Sequence, residues 1–402
     1  MTEVAPHEYK EAPGACADCG NSPVNHLETY LSHSLGMIFA ADSDPRERGK
    51  IVGAIDRLVV ALDPLVYRFF AALPGARFAH DPVKSATYRS QVIWEEARRR
   101  GIEMEQLVLI GKHTDIYRAR IDGAWRYFQS LPVPPQLEYP SYGWIDDKIA
   151  LKRALASAGI DVPRFASVST LSDARDAFAA IGAPAVVKPR AGSRGRHTTV
   201  NVRELEELER AFESAQKLCR YVAIEEYIEG SVCRGTVIGG KLAGFFEARA
   251  PRVVGDGLSS IEVLIQKANH TRPERVQDIV LTDESLRFLA RSGRTPDFVP
   301  ALGEIVPLSH RTGRLFGGYT RELFGKEHGK LRQYLERAAK AVGAPVVGFD
   351  LIIADPERDP DGQKWGIIEG NSLPYIDLHY LPLEGTPSNT AAAVWDLWER
   401  AL

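Results

Sequence analysis

Two short apolar runs near the C-terminus constrain this fold most: Val346 to Ile353, interrupted only by Gly348 and Asp350, and Trp365 to Glu369. Runs of this length, separated by the turn-rich insert Asp355 to Gly362, read as strands. A helical pattern around Leu331 to Val342 feeds the first of them, which sets an α/β class. If the strands are neighbours, Asp350, Glu369 and Asn371 converge at one edge. Two carboxylates and an amide oxygen suit Mg²⁺, which takes few protein ligands and leaves positions for phosphate oxygens. A strand-end acid and a turn asparagine account for the same letters without a metal.

The chain has 402 residues, more than one small core organises, so two or three domains are expected. Hydrophobic residues make up 44% and charged residues 26%, which excludes disorder as the main state. Fifty basic against 53 acidic side chains leave a net charge of −3, too weak and mixed a field for a dedicated nucleic-acid or anionic-membrane binder. The stretch Ile51 to Leu73 is broken by Asp56, Arg57, Asp63, Pro64 and Arg68, so it cannot span a bilayer. Met1 to Pro13 has no basic-then-apolar leader pattern, and four cysteines are too few for a disulfide scaffold. A cytoplasmic protein is the expectation.

Residues 1–50 read as irregular, rich in Gly, Pro, Asn and Asp. From Ile51 to Ala72 the apolar spacing is helical, divided at Pro64. A helix over Gln91 to Arg100, a strand over Leu107 to Ile110 and a hairpin turning at Asp122-Gly123 complete a first domain over 51–140. Prolines 132, 134, 135 and 140 make a stiff linker. Beyond it, Asp147 caps a helix that stops at Gly159, and Ser172 caps another that ends at Gly182. The strand Ala185 to Lys188, a helix with Leu205, Leu208, Phe212 and Ala215, and the strand Tyr221 to Glu225 follow.

Lys188 ends its strand four residues before Gly192-x-x-Gly195, amid Arg190, Arg194 and Arg196. A cation beside a loop with accessible backbone N–H groups can cradle phosphate; an exposed turn with solvated arginines has the same composition. No G-x-x-x-x-G-K-[ST] loop occurs anywhere in the chain. The run Ile224-Glu225-Glu226-Tyr227-Ile228-Glu229-Gly230 offers an extended backbone that can read a purine edge, or else an edge strand with solvated acids.

Taken in order, these pieces resemble the ATP-grasp superfamily, above all the ATP-binding part of cyanophycin synthetase and the synthetase half of bifunctional glutathione synthases. The resemblance spans about 141–402. It includes Asp147-Lys148, Val186-Val187-Lys188-Pro189, the Glu225 to Gly230 run, Arg234, Gly239-Gly240-Lys241 and Arg249-x-Pro251. Asn269, Arg272-Pro273, Gly348-Phe349-Asp350, Glu369-Gly370-Asn371 and His379-x-x-Pro382 complete it. It implies an ATP-grasp fold over 141–402, with a mobile lid at about 165–245 and a preceding α/β domain that shapes the substrate pocket. It implies ATP and two Mg²⁺ as cofactors and an ADP-forming ligase that joins a carboxylate to an amine through an acyl-phosphate. Lys148 and Lys188 would contact phosphates, and Gly192, Ser193, Arg194 and Gly195 would close over them. Glu225 would accept from the adenine amino group while the backbone of Glu226, Tyr227 and Ile228 reads the ring. Arg234 belongs to the nucleotide-binding set, Asp350, Glu369 and Asn371 to the metal set, and Arg249 and Arg311 to the catalytic set. Small-molecule carboxylate and amine partners are implied, an amino acid or small peptide first among them, and a homodimer is compatible. An ATP-grasp small-molecule kinase and a non-catalytic nucleotide-binding protein remain as alternatives.

Two departures stand out. Where the family carries an acid that grips ribose, this chain has Val232; where cyanophycin-type enzymes carry an Arg and an Asn, it has Ser309 and Gly313, with Arg311 and Arg314 nearby. The N-terminal Cys16-Ala-Asp-Cys19 precedes His26 and His33, but six residues separate the histidines, where zinc fingers leave three to five. Reduced thiols are therefore the expectation there. Cys219 and Cys233 read as interior residues of the lid, and His379 as structural or substrate-orienting.

Overall fold

The computed structural model describes residues 16, 19, 24–31, 62, 65–137, 142–191 and 195–401. The irregular segment expected over 1–50 and most of the helical stretch from Ile51 lie outside them, although 65–71 are helical as the spacing predicts. The architecture is mixed α and β, with antiparallel sheets joined through helices.

The first sheet has strands β1 (Ala76–Ala79), β2 (Met104–Leu109), β3 (Lys112–Ile121) and β4 (Ala124–Gln129), paired in that order. Asp122 and Gly123 take φ of 50° and 75°, the left-handed pair that a two-residue hairpin requires. Helix α1 (Tyr88–Arg99) starts three residues before the sequence suggests, because the Thr87 side chain accepts from the Ser90 amide and caps it. Helix α2 (Lys148–Ser157) is capped as expected: Asp147 accepts from the amides of Ile149 and Ala150.

Strands β5 (Phe165–Val168), β6 (Ala185–Pro189), β7 (Thr199–Val202) and β8 (Val222–Glu226) form a second sheet in the order β5-β8-β6-β7. Helices α3 (Leu171–Ile181) and α4 (Leu205–Gln216) cover one face, burying Phe178, Ile181, Leu208 and Phe212 against Val187, Val222 and Ile224. The cap of α3 is Thr170, which accepts from the Asp173 amide, and not Ser172, which lies inside the helix. Side chains alternate along a strand, so Lys188 and Glu225 leave the helix-covered face and point the other way.

Strands β9 (Ser231–Ile238) and β10 (Lys241–Arg249) do not belong to this sheet, although most of their length falls inside the range expected for the lid. They join a central five-stranded sheet in the order β13-β10-β9-β14-β15. Between them and that sheet's other strands run β11 (Arg252–Val254), α5 (Ile261–His270), α6 (Asp283–Arg291) and β12 (Ile305–Pro307), which share a small core of their own. The chain then forms β13 (Tyr319–Glu322), α7 (Gly329–Val342), β14 (Val346–Ile353) and β15 (Trp365–Asn371). It ends with α8 (Asp377–Tyr380) and α9 (Thr390–Ala401).

One face of the central sheet packs on α2 and α7, burying Cys233, Val237, Phe349 and Leu351 with Leu151 and Leu335. Cys233 is therefore a residue of the central core rather than of the lid. On the other face, Ile238 and Val346 meet α1, α9 and the first sheet. Arg234 and Asp350 share that second face, farther along the strands. Among the described residues, no helix is long and apolar enough to cross a membrane.

Candidate active site

The second face of the central sheet and the helix-free face of the lid sheet meet at a seam of buried charges. The register β14–β15 sets Asp350 opposite Glu369, and β9–β14 sets Asp350 opposite Arg234. Arg234 grips Asp350 with two donors, each at 2.6 Å, and the Asn371 amide donates to the same carboxylate at 3.4 Å. Lys148, on the first turn of α2, lies 3.2 Å from Glu369. Lys188 and Lys152 each donate to one oxygen of Glu225, both at 2.9 Å. Lys152 also donates to the Ile368 carbonyl at 2.6 Å, tying the lid strand to β15 through α2.

Electrostatics keeps these groups ionised against burial. Burial alone would raise the carboxyls of Glu225 and Glu369, but the neighbouring lysines outweigh it and hold both below the usual range. Burial would likewise lower Arg234 and Lys148, and Asp350 and Glu369 reverse this. Lys152 is different: desolvation wins over the attraction of Glu225, and it falls to about 8. Lys148 Nζ is buried and makes no aligned hydrogen bond, so its donors remain available to an anion in the seam. The residues therefore fit ATP and Mg²⁺: lysine donors for phosphate face hard oxygen ligands for the metal.

Position follows from local structure. Asp147 caps α2 and accepts from Arg190 Nε at 2.9 Å, while the Lys148 amide donates to the Arg190 carbonyl, so the start of α2 is fixed to the end of β6. Of the glycine loop, Gly192, Ser193 and Arg194 lie outside the described residues. Gly195 has φ of +81°, and a Cβ there would come within 3.3 Å of the Phe316 ring. Arg311 donates to the Gly195 carbonyl at 3.4 Å, which brings the 309–318 segment against the lid loop. Glu226 accepts from Arg164 and Lys364; partial burial would raise its carboxyl, and these bonds bring it down to about 2. The Glu226 amide is spent on the Arg164 carbonyl and the Tyr227 amide on Pro184, while Ile228 is buried at the strand end.

Arg249 stands apart. On β10 it shares a side with Glu247, to which its Nε donates at 2.8 Å, while Phe246 and Arg234 are opposite each other on the other side. Its side chain is therefore on the face away from Asp350. Arg314 pairs with Asp377, and Val232 is flanked in register by Ala248 and Ile352, with no acid in the ribose position. His379 is fully buried, with Nδ1 3.0 Å from the Glu322 carboxylate and Nε2 2.7 Å from the Thr236 hydroxyl. Gly244 makes room for it, since a Cβ there would lie 2.5 Å from the ring. That histidine is structural.

Sequence reasoning missed Lys152, whose signal is a lysine one turn after Lys148 on the face that buries Leu151 and Leu155. It also missed Arg89, which donates to the Leu373 carbonyl at 2.6 Å and lies 5.3 Å from the Tyr375 ring centroid, with Arg314 at the same distance. Helix α1 thus contributes a cation to the wall just beyond Asn371.

Known proteins share sequence and fold with this chain. The ATP-grasp domain family matches residues 153–233. Cyanophycin synthetase of Trichormus variabilis is 33% identical over 262 residues, covering 62% of this chain and 29% of that protein. The glutathione biosynthesis bifunctional protein of Mannheimia succiniciproducens is 25% identical over 309 residues, 74% of this chain and 40% of that one. The crystal structure of a bifunctional glutathione synthetase from Pasteurella multocida aligns with a TM-score of 0.58 at 25% identity, covering 78% of this chain and 43% of its own. The chain spans well under half the length of the curated relatives it matches. It carries an ATP-grasp domain and is a relative of the ATP-grasp ligases, which form carbon–nitrogen bonds.

Proposed function

We propose that this chain is an ATP- and Mg²⁺-dependent ligase that joins a small carboxylate, an amino acid or short peptide, to an amine. The observation that carries the reading is the seam itself: two lysines far apart in sequence, Lys148 and Lys188, meet Glu369 and Glu225 between two sheets, with a buried ammonium that has spare donors. Lys148 and Lys188 bind phosphate oxygens, and the Gly192–Arg196 loop covers them. Glu225 accepts from the adenine amino group, and the ring edge is read by the Glu226–Ile228 backbone, where the free amide is that of Ile228. Asp350, Glu369 and Asn371 would hold the metal ions, whose charge would offset that of the triphosphate.

The carboxylate oxygen attacks that phosphorus, and ADP leaves. An amine then attacks the acyl carbon, phosphate departs with the bonding pair, and the nitrogen gives up a proton to the departing phosphate as the amide forms. Two anions approach in the first step, so the cations of the seam act on charge that grows toward the transition state. Closure of the loop keeps water from the acyl-phosphate. Of the two arginines assigned to catalysis, Arg311 lies beside the loop, and Arg249 reaches the reaction only around the sheet edge.

The test is ADP release by the purified chain with ATP, Mg²⁺ and amino-acid mixtures, with hydroxylamine present in a parallel set. Hydroxamate formation that is abolished in Lys188→Ala and Glu369→Ala supports the ligase. ADP release without hydroxamate points to a kinase, binding of ATP without turnover to a nucleotide sensor, and turnover that survives both substitutions discards the site.

A further inference from the structure

The N-terminal cysteines have partners that their spacing does not reveal. Cys19 Sγ lies 3.2 Å from His26 Nε2 and 3.4 Å from His197 Nε2, and Cys16 Sγ lies 3.6 Å from His197 Nε2. All four ligand atoms are within 4.8 Å of one another. A tetrahedral zinc ion, about 2.3 Å from sulfur and 2.1 Å from nitrogen, holds its ligand atoms roughly 3.4–3.8 Å apart. Thiol hydrogen bonding accounts for less: Cys19 has one proton and two ring nitrogens in reach.

Three further features prepare the cluster. The Cys19 amide donates to the Cys16 carbonyl at 3.0 Å, which holds the two cysteines close together. His197 Nδ1–H donates to the Ser214 carbonyl at 2.8 Å, which leaves the Nε2 lone pair facing the sulfurs, the outer-shell arrangement of metal-bound histidine. His197 also holds φ of +51°, a conformation that costs a residue with a Cβ roughly 1–2 kcal/mol and needs something to repay it. Cys19 and His197 are both about 99% buried, and all four cysteines of the chain are free thiols.

We propose that Cys16, Cys19, His26 and His197 bind one zinc ion in a closed structural site that fastens the N-terminal segment to the lid. Two sulfur and two nitrogen ligands select zinc over Mg²⁺ or Ca²⁺, and four protein ligands leave no open position for catalysis. Two thiolates and two neutral imidazoles make the loaded site neutral, as its burial requires. His197 follows Gly195 by two residues, so the metal fixes the far end of the loop whose near end is Lys188. This inference does not depend on the ligase reading.

The test uses the full chain, purified without chelators or immobilised metal and analysed by mass spectrometry for metals. The expected result is about one zinc per chain. Reduced apoprotein given Co²⁺ should show thiolate-to-cobalt charge transfer and the strong visible bands of a tetrahedral ion. His197→Ala should cut metal affinity by at least roughly tenfold and alter those bands. Should that variant fail to fold, thiol labelling of wild type supplies a second measurement: Cys16 and Cys19 should be protected with zinc and modified after chelation. Folded protein with neither zinc nor a cobalt spectrum overturns the site, as does a Cys16–Cys19 disulfide in freshly purified material. A His197→Ala spectrum identical to wild type removes His197 from the ligand set.

Discussion

The seam between lid and central sheet and the seam between the first sheet and α9 are both buried, yet they are built on opposite principles. In the second, Trp94, Tyr117, Phe128 and Trp395 pack edge-on or offset with centroids 6.0–6.4 Å apart. Their polar edges are satisfied: Trp395 Nε1 donates to the Ile93 carbonyl at 3.0 Å and Trp398 Nε1 to Pro132 at 2.8 Å. Such a seam gains from every atom it removes from water. The charged seam loses solvation at each group and recovers it only through partners, and the Lys148 ammonium, paired with Glu369 at 3.2 Å, makes no aligned hydrogen bond. The aromatic seam gains stability from burial itself, whereas the charged one depends on every pair being kept.

Four substitutions break or sharpen this contrast. Trp395→Ala should cost about 3–5 kcal/mol of unfolding free energy, read from the denaturant midpoint, with nucleotide affinity unchanged in the molecules that stay folded. Lys188→Met should do the reverse, lowering turnover by roughly 10²–10³-fold while the melting temperature shifts little, because Glu225 keeps Lys152. Equal stability losses from the two would erase the distinction.

Lys152 gives a pH signature. Its folded value of about 8 is below the 10.5 of an unfolded lysine, so between these values the unfolded chain binds more protons and stability rises with pH. Wild type should therefore gain up to about 3 kcal/mol relative to Lys152→Met between pH 8 and 10.5, measured by urea unfolding at each pH. Parallel profiles would show that Lys152 is not perturbed. The smallest effect is expected at Arg249: Arg249→Ala should reduce turnover by less than about tenfold, since its side chain sits across the sheet from Asp350, and a larger loss in kcat would mean that it reaches the phosphate.

Much of the charged seam was legible because charges at the ends of apolar strands are conspicuous: Lys188, Glu225, Asp350 and Glu369 each interrupt or close such a run. Asp147 was legible as a cap for the same local reason. What escaped depends on contacts remote in sequence or on geometry that composition does not carry. His197 is 178 residues from Cys19, and a spacing rule for zinc ligands looks only a few residues away. The face taken by Arg249 follows from alternation along β10, where it shares a side with Glu247 and Cys233. The expected lid range of about 165–245 takes in most of β9 and β10, because which sheet a segment joins depends on partners distant in sequence.

The bridge from Lys152 to both Glu225 and the Ile368 carbonyl has a mechanical consequence. Lys188 and Glu225 stand on adjacent lid strands and would travel as a pair if the sheets parted, whereas Lys152 is anchored on α2. Separation would break the Lys152–Glu225 pair together with the Asp147–Arg190 and Glu226–Lys364 pairs, while Lys188 stays with the departing Glu225. A cleft fastened at three separate points would re-form, on closing, with its lysines aimed at the same place.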